Sequence, residues 1–186
     1  MKYRYKNLTD DLKGHPDYDG HAIHGLVDEY DRVVGAAFIH RNSAGIALSY
    51  HGAVAKSGGG ARLKLPEAPM MEGLTDGFRL PHGMTKKFAG LEVSLGGGKT
   101  VFFGGNIEGW QTNEKGEPEL PQEIWHEVLR AFGQEVMSRT RTYVIAEDMG
   151  TTPADMAYLA RFTPPGLVAG CAQATNPSPF TARGLL

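Results

Sequence analysis

Blocks of apolar residues along this chain are cut by glycine and proline, and their period shifts between that of a strand and that of a helix. Arg32 to His40 (RVVGAAFIH) and Gly45 to Tyr50 (GIALSY) are rich in small and β-branched residues and predict strands. Arg62 to Leu65 (RLKL) alternates and predicts a third. Pro66 suits the first turn of a helix carrying Met70, Met71, Leu74 and Phe78 on one side, which Pro81 is expected to kink or end. Lys99 to Phe103 (KTVFF) predicts a short apolar strand, and the polar run Asn106 to Leu120 a surface loop. The clearest helix follows, with Ile124, Val128, Phe132 and Val136 recurring every four residues and Trp125 and Leu129 widening the stripe. Arg141 to Ala146 predicts a buried strand with Glu147 and Asp148 at its C-terminal end. Thr152 before Pro153, with Asp155 in the first turn, predicts a helix over Pro153 to Ala160. Asn176 to Leu186 opens another helix-like run.

Composition narrows the function classes. At 186 residues the chain is one domain, or one domain with a small appendage. A formal net charge of -2, with no basic stripe, gives no reason to expect nucleic acid or an anionic membrane as a partner. Cys171 is the single cysteine, so an intrachain disulfide is impossible and a reducing compartment is expected. With no signal-peptide core in MKYRYK and no membrane-length apolar run, the expectation is a cytoplasmic protein. The 25 glycines cluster at Gly58 to Gly60, Gly96 to Gly98 and Gly104 with Gly105, beside apolar runs. That placement marks tight turns or close approaches of backbone to something else.

The stretch SLGGGKT, Ser94 to Thr100, invites a phosphate-loop reading, but Val93 stands where that motif needs its first glycine. No G-x-G-x-x-G is present, because Leu63 takes the third position after Gly58 and Gly60. The candidate chemistry is a triple: Lys87, Lys99 and Asp148. A lysine against apolar walls and another cation loses preference for its charged form, the other lysine can hold a carboxylate, and the aspartate can serve a separate proton. The plainer account makes the lysines solvated and the aspartate a helix cap. His21 and His24 (HAIH) have a spacing compatible with zinc but no further Cys/His cluster beside them, and no metal is expected. Ser178 lacks a nucleophile elbow, and Cys171 sits in an apolar context.

Four segments in order carry a resemblance: Met84-Thr85-Lys86-Lys87, Ser94 to Lys99 (SLGGGK), Ala146 to Thr152 (AEDMGTT) and Asn176 to Gly184 (NPSPFTARG). From about Arg79 to Gly184 the chain resembles the N-terminal substrate and dimerisation domain of the glutamate/leucine/phenylalanine/valine dehydrogenases, the branched-chain and phenylalanine members most. The resemblance implies an α/β fold with a mixed, partly antiparallel sheet flanked by helices, with no Rossmann cofactor domain in this chain. It implies a substrate-binding and oligomerisation domain over 1–175, and over 176–186 the start of a hinge helix toward a cofactor domain. It implies Lys99 as the lysine that activates water, Asp148 as the group exchanging a proton with the amine or imine, and Lys87 as the grip on the substrate carboxylate. Gly59 and Gly60 would line the pocket, Met84 would lie near it, and Thr181 would approach the nicotinamide. The implied activity is oxidative deamination of an apolar L-amino acid to its 2-oxo acid with NAD, in a homo-oligomer. The chain alone is expected to be inactive unless a separate cofactor domain is supplied. A stand-alone amino-acid-binding or oligomerisation module is the alternative. Departures from the family pattern include extra sequence at Tyr50 to Ser57, Pro81-His82 inside a smooth helix, and Thr175 before Asn176.

Overall fold

A computed structural model describes residues 2–40, 48–50, 53–55, 57–92 and 95–169. Its centre is a six-stranded sheet made of β1 (Tyr3–Asn7), β2 (Ala22–Asp28), β3 (Val33–Ile39), β6 (Ser57–Leu63), β7 (Gly96–Phe102) and β10 (Tyr143–Glu147), in the order β1-β2-β3-β7-β6-β10. Between β3 and β6 lie two short paired strands, β4 (Leu48–Tyr50) and β5 (Ala53–Ala55). The polar run after β7 holds another pair, β8 (Gln111–Thr112) and β9 (Pro118–Glu119). The first half of the sheet is antiparallel, while β7, β6 and β10 run parallel, so the mixed sheet expected from the resemblance is present.

Helices cover both faces. After the short α1 (Thr9–Leu12), α2 (Met70–Gly90) lies on one face, where Phe38, Leu74, Phe78, Val101 and Phe103 form a core. The other face takes α3 (Gln122–Ala131), which continues through a π-helical turn at Phe132–Met137 into α4 (Ser138–Thr140), and α5 (Pro153–Ala160). There Phe102 meets Trp125 and Phe132 edge to face, with ring centroids 4.9 and 5.0 Å apart. Each fully buried ring of this kind contributes about 1.5–3 kcal/mol over leaving it in water.

Several elements differ from the sequence expectation. Of the two readings of the glycine clusters, close approach holds at 58–60 and 96–98, which are strand residues rather than turns ahead of short strands. Glycine is tolerated there because neighbours come too close for a side chain: a Cβ on Gly97 would run into the Pro81 carbonyl, and one on Gly98 into the Tyr143 ring. The helix starts at Met70 after Pro69, and it does not end at Pro81 but runs on to Gly90. One turn before that proline, His21 Nε2 donates to the Phe78 carbonyl at 3.0 Å, an added support for the stretch. The π turn leaves the four-residue stripe buried, with Val128, Phe132 and Val136 all at 0% exposure. Strands β1 and β2 have no counterpart in the sequence reading. The helix at Pro153 begins as expected, with Thr152 and Asp155 forming a reciprocal cap. Part of the strand expected at Gly45 to Tyr50, and the whole Asn176 to Leu186 segment, lie outside the described residues.

Candidate functional site

Alternation along β7 divides its side chains between the two cores. Gly97, Lys99 and Val101 face α2, while Gly98, Thr100 and Phe102 face Tyr143 and the α3 side. Lys99 is thereby carried into the middle of the sheet, opposite Phe38 of β3, and is only 4% exposed. Asp148 follows the last residue of β10, and its Oδ2 accepts a hydrogen bond from Lys99 Nζ. Asp148 is itself held in place. Its backbone N–H donates to Thr151 Oγ1 at 2.9 Å, and that hydroxyl donates to the Ala61 carbonyl at 2.8 Å.

The glycines make this meeting possible. A Cβ on Gly60 would lie 2.7 Å from the Asp148 Cβ, and one on Gly59 would collide with the Gly98 carbonyl. Bare backbone at Gly60 therefore makes room for the Asp148 side chain, and at Gly59 it lets β6 lie close to β7. Tyr143 supports the same strands from the opposite face, donating to the Gly59 carbonyl at 3.3 Å and accepting from Thr100 Oγ1 at 3.2 Å. Burial pushes its phenol above the usual tyrosine range, so it stays neutral.

Burial pulls Lys99 below the ordinary lysine range, against the opposing pull of the Asp148 carboxylate. For Asp148, burial pushes upward, but the Lys99 hydrogen bond and charge, with Arg62 beyond it, leave the carboxyl below its ordinary range. The result is an ionised pair whose lysine gives up its proton more readily than a surface lysine would.

Sequence reasoning missed the groups behind this pair. Arg62 Nη2 lies 3.2 Å from Asp148 Oδ2 and its Nη1 donates to Asp76 Oδ2 at 2.8 Å; Lys64 Nζ reaches Asp76 and Glu72 at 2.6 Å each. Arg62 and Lys64 stand two positions apart, hence on one side of the extended chain. The alternation in RLKL was the available signal, but Asp76 comes from α2 and only the fold brings it in.

Met84 faces the sheet, its Cβ in contact range of the space over Gly97, and Thr85 Oγ1 accepts the Gly97 N–H at 2.8 Å. Lys87 stands exposed on the last turns of α2 and forms no ion pair among the described residues. Thr181 lies outside the described residues. Of the candidate residues, the structure thus joins Lys99 and Asp148, sets Gly60 against Asp148 and Gly59 against Gly98, and places Met84 on the helix above Gly97. His21 and His24, three apart on extended chain, point to opposite faces; His24 Nδ1 meets the Tyr5 hydroxyl at 2.9 Å.

A sheet that offers a buried lysine to a carboxylate across glycine backbone can be compared with known proteins. Over 170 residues the chain is 32% identical to leucine dehydrogenase of Bacillus subtilis (strain 168), covering 90% of this chain and 40% of that protein. The chain is homologous to amino-acid dehydrogenases. Leucine dehydrogenase of Geobacillus stearothermophilus is 37% identical over 116 residues, and phenylalanine dehydrogenase of Caldalkalibacillus thermarum (strain TA2.A1) 33% over 129. The chain spans between 28% and 40% of the length of these relatives. Among solved structures, L-tryptophan dehydrogenase from Nostoc punctiforme matches with a TM-score of 0.59 at 23% identity, covering 96% of this chain and 42% of that one. A hetero-hexameric glutamate dehydrogenase from Thermus thermophilus matches with a TM-score of 0.51 at 18% identity, covering 77% and 31%. These two likenesses concern the fold alone. None of the protein-family models matches the chain. Among the described residues no helix is long and apolar enough to cross a membrane.

Proposed function

We propose that this chain is the substrate domain of an NAD-dependent amino-acid dehydrogenase that oxidatively deaminates an apolar L-amino acid. The observation that carries this reading is the buried Lys99 held against Asp148 on a floor of bare glycine backbone, in a chain homologous to these dehydrogenases. The apolar substrate class is supported by the names of the relatives, which are leucine and phenylalanine dehydrogenases.

In this reading Lys87, an exposed cation with no ion partner among the described residues, takes the substrate carboxylate. Met84 and the glycines Gly59 and Gly60 bound the space the substrate enters. Asp148 takes a proton from the substrate ammonium, which must become a neutral amine before its α-carbon can lose hydride. Nicotinamide supplies the hydride acceptor. Lys99, once it has released its own proton to solvent, receives one from the water that adds to the resulting iminium carbon; the proton held by Asp148 returns to the nitrogen, and the protonated lysine faces the oxygen as ammonia leaves. A buried lysine with a weakened hold on its proton suits both halves of that exchange.

The described residues offer no glycine-rich strand-to-helix turn that could cradle a dinucleotide, so no step here depends on how NAD is held. Thr181 would approach the nicotinamide, a role that rests on its sequence motif. The expected consequence is that this chain by itself binds the amino acid but forms no NADH until a cofactor domain is supplied. Self-association through this domain is part of the same proposal.

Calorimetry of the chain with leucine, valine, phenylalanine and tryptophan tests the pocket. Saturable binding of at least one, weakened about tenfold or more in Lys87→Ala, is expected, since a charge-assisted contact contributes about 1.5–3 kcal/mol. Binding of none, or binding equal in wild type and Lys87→Ala, would sink the reading.

A further inference from the structure

Asp19, His40 and His82 come from three separate parts of the chain: the approach to β2, the residue after β3, and the middle of α2. Their ligand atoms all lie within 4.8 Å of one another. His40 Nε2 and His82 Nδ1 are each 3.3 Å from Asp19 Oδ2. The two imidazole rings stack at 5.1 Å between centroids, tilted by 29°.

Hydrogen-bond accounting shows what this arrangement lacks. Thr85 has one hydroxyl proton, given to the Pro81 carbonyl at 3.1 Å. Its two lone pairs take the Gly97 N–H at 2.8 Å and His40 Nδ1 at 2.9 Å, so Nδ1 carries the imidazole proton. The Nε2 lone pair of His40 is then aimed at a carboxylate oxygen, acceptor against acceptor. A second proton on His40 and an Nδ1–H on His82 would satisfy that oxygen only by spending both imidazole nitrogens as donors. A divalent cation satisfies all three at once.

The spacing agrees with that occupant. Two ligands on a tetrahedral zinc centre, each about 2.1 Å from the metal, are separated by about 3.4 Å. A histidine ligand whose other ring nitrogen donates to an oxygen is the usual supporting arrangement, and Thr85 provides it. His40 is mostly buried, its side chain 12% exposed, whereas those of His82 and Asp19 are 42% and 64% exposed, so the site opens to solvent. His21, though adjacent, is already used. Its Nε2 donates to the Phe78 carbonyl and its Nδ1 accepts the Asp19 N–H at 3.2 Å, so both ring nitrogens are taken.

We propose that Asp19, His40 and His82 form a three-ligand site for a divalent transition cation of the zinc class, with a fourth position open to water. Imidazole and carboxylate donors suit zinc(II) and cobalt(II) better than the hard cations magnesium and calcium. The cation would tie β3 and α2 together, and through Thr85 would brace Gly97, two residues from Lys99. This inference stands apart from the proposed deaminase function, and its test reads metal binding.

The chain, stripped with a chelator, is titrated with cobalt(II) followed by visible absorption, and with zinc(II) by calorimetry. The expected result is one equivalent of metal, with zinc displacing the cobalt band. His82→Ala and Asp19→Asn, at a half-buried and an exposed position, are expected to weaken binding about tenfold or more while circular dichroism stays unchanged. His126→Ala, on the α3 side, is the control and should bind as wild type does. No saturable binding at tens of micromolar metal, or affinity unchanged in both ligand variants, or an equal loss in His126→Ala, would overturn the site.

Discussion

Arg62 approaches Asp148 with two nitrogens of its guanidinium, Nε at 3.3 Å and Nη2 at 3.2 Å, both on the oxygen that Lys99 also holds. Asp148 is therefore a carboxylate between two cations, and its low proton affinity comes partly from a residue outside the proposed chemistry. Arg62→Gln is expected to raise the carboxyl pKa of Asp148, read by NMR titration of its side chain. It should also cost roughly 1–2 kcal/mol of stability, since Asp76 would keep only Lys64. An Asp148 titration identical to wild type would show that Lys99 alone sets it.

Removing the carboxylate should have an acid-dependent cost. The Asp148 pKa is lower in the folded than in the unfolded chain, so its contribution is fully present above the unfolded value of about 3.9 and fades as pH falls through the folded value below it. Asp148→Asn, which leaves Lys99 buried without its anion, is expected to cost roughly 2–3 kcal/mol near neutral pH, discounted for the partial exposure of the aspartate. Denaturant unfolding should show that difference shrinking near pH 3; a cost independent of pH would exclude the linkage.

Glycine-to-alanine changes should separate the close approaches from the merely flexible positions. In Gly97→Ala the new methyl meets the backbone of α2 at Pro81, and a loss of several kcal/mol, or failure to fold, is expected. In Gly58→Ala the nearest atom is 3.7 Å away, and a change under about 1 kcal/mol is expected. Thermal melts of the two variants measure the contrast, and equal losses would contradict the packing described.

Asp155 joins two helices: Oδ2 caps α5 through Thr152 at 2.7 Å, while Oδ1 accepts the Trp125 indole N–H of α3 at 2.8 Å. Asp155→Ala is expected to cost about 2–3 kcal/mol, and Thr152→Ala about 1 kcal/mol, because only the first removes both contacts. Chemical denaturation decides whether the two costs differ.

Local chemistry determined much of what the chain displays by itself. The period of Ile124, Val128, Phe132 and Val136, the Thr152-Pro153-Asp155 start and the β-branched run Val33 to Ile39 act through neighbours a few residues away, and so they are legible in order along the chain. Lys99 and Asp148 were legible as candidates because each sits in a short motif. What the tertiary structure decided is everything set by contact across the sheet. Whether the glycine runs turn or extend depended on the Pro81 carbonyl and the Tyr143 ring waiting opposite them, and the helix that Pro81 was expected to kink or end runs on where its buried side packs on the sheet. Arg62 behind Asp148, and His40 beside His82, belong to residues tens of positions apart. Their attraction is a through-space energy that no local pattern encodes.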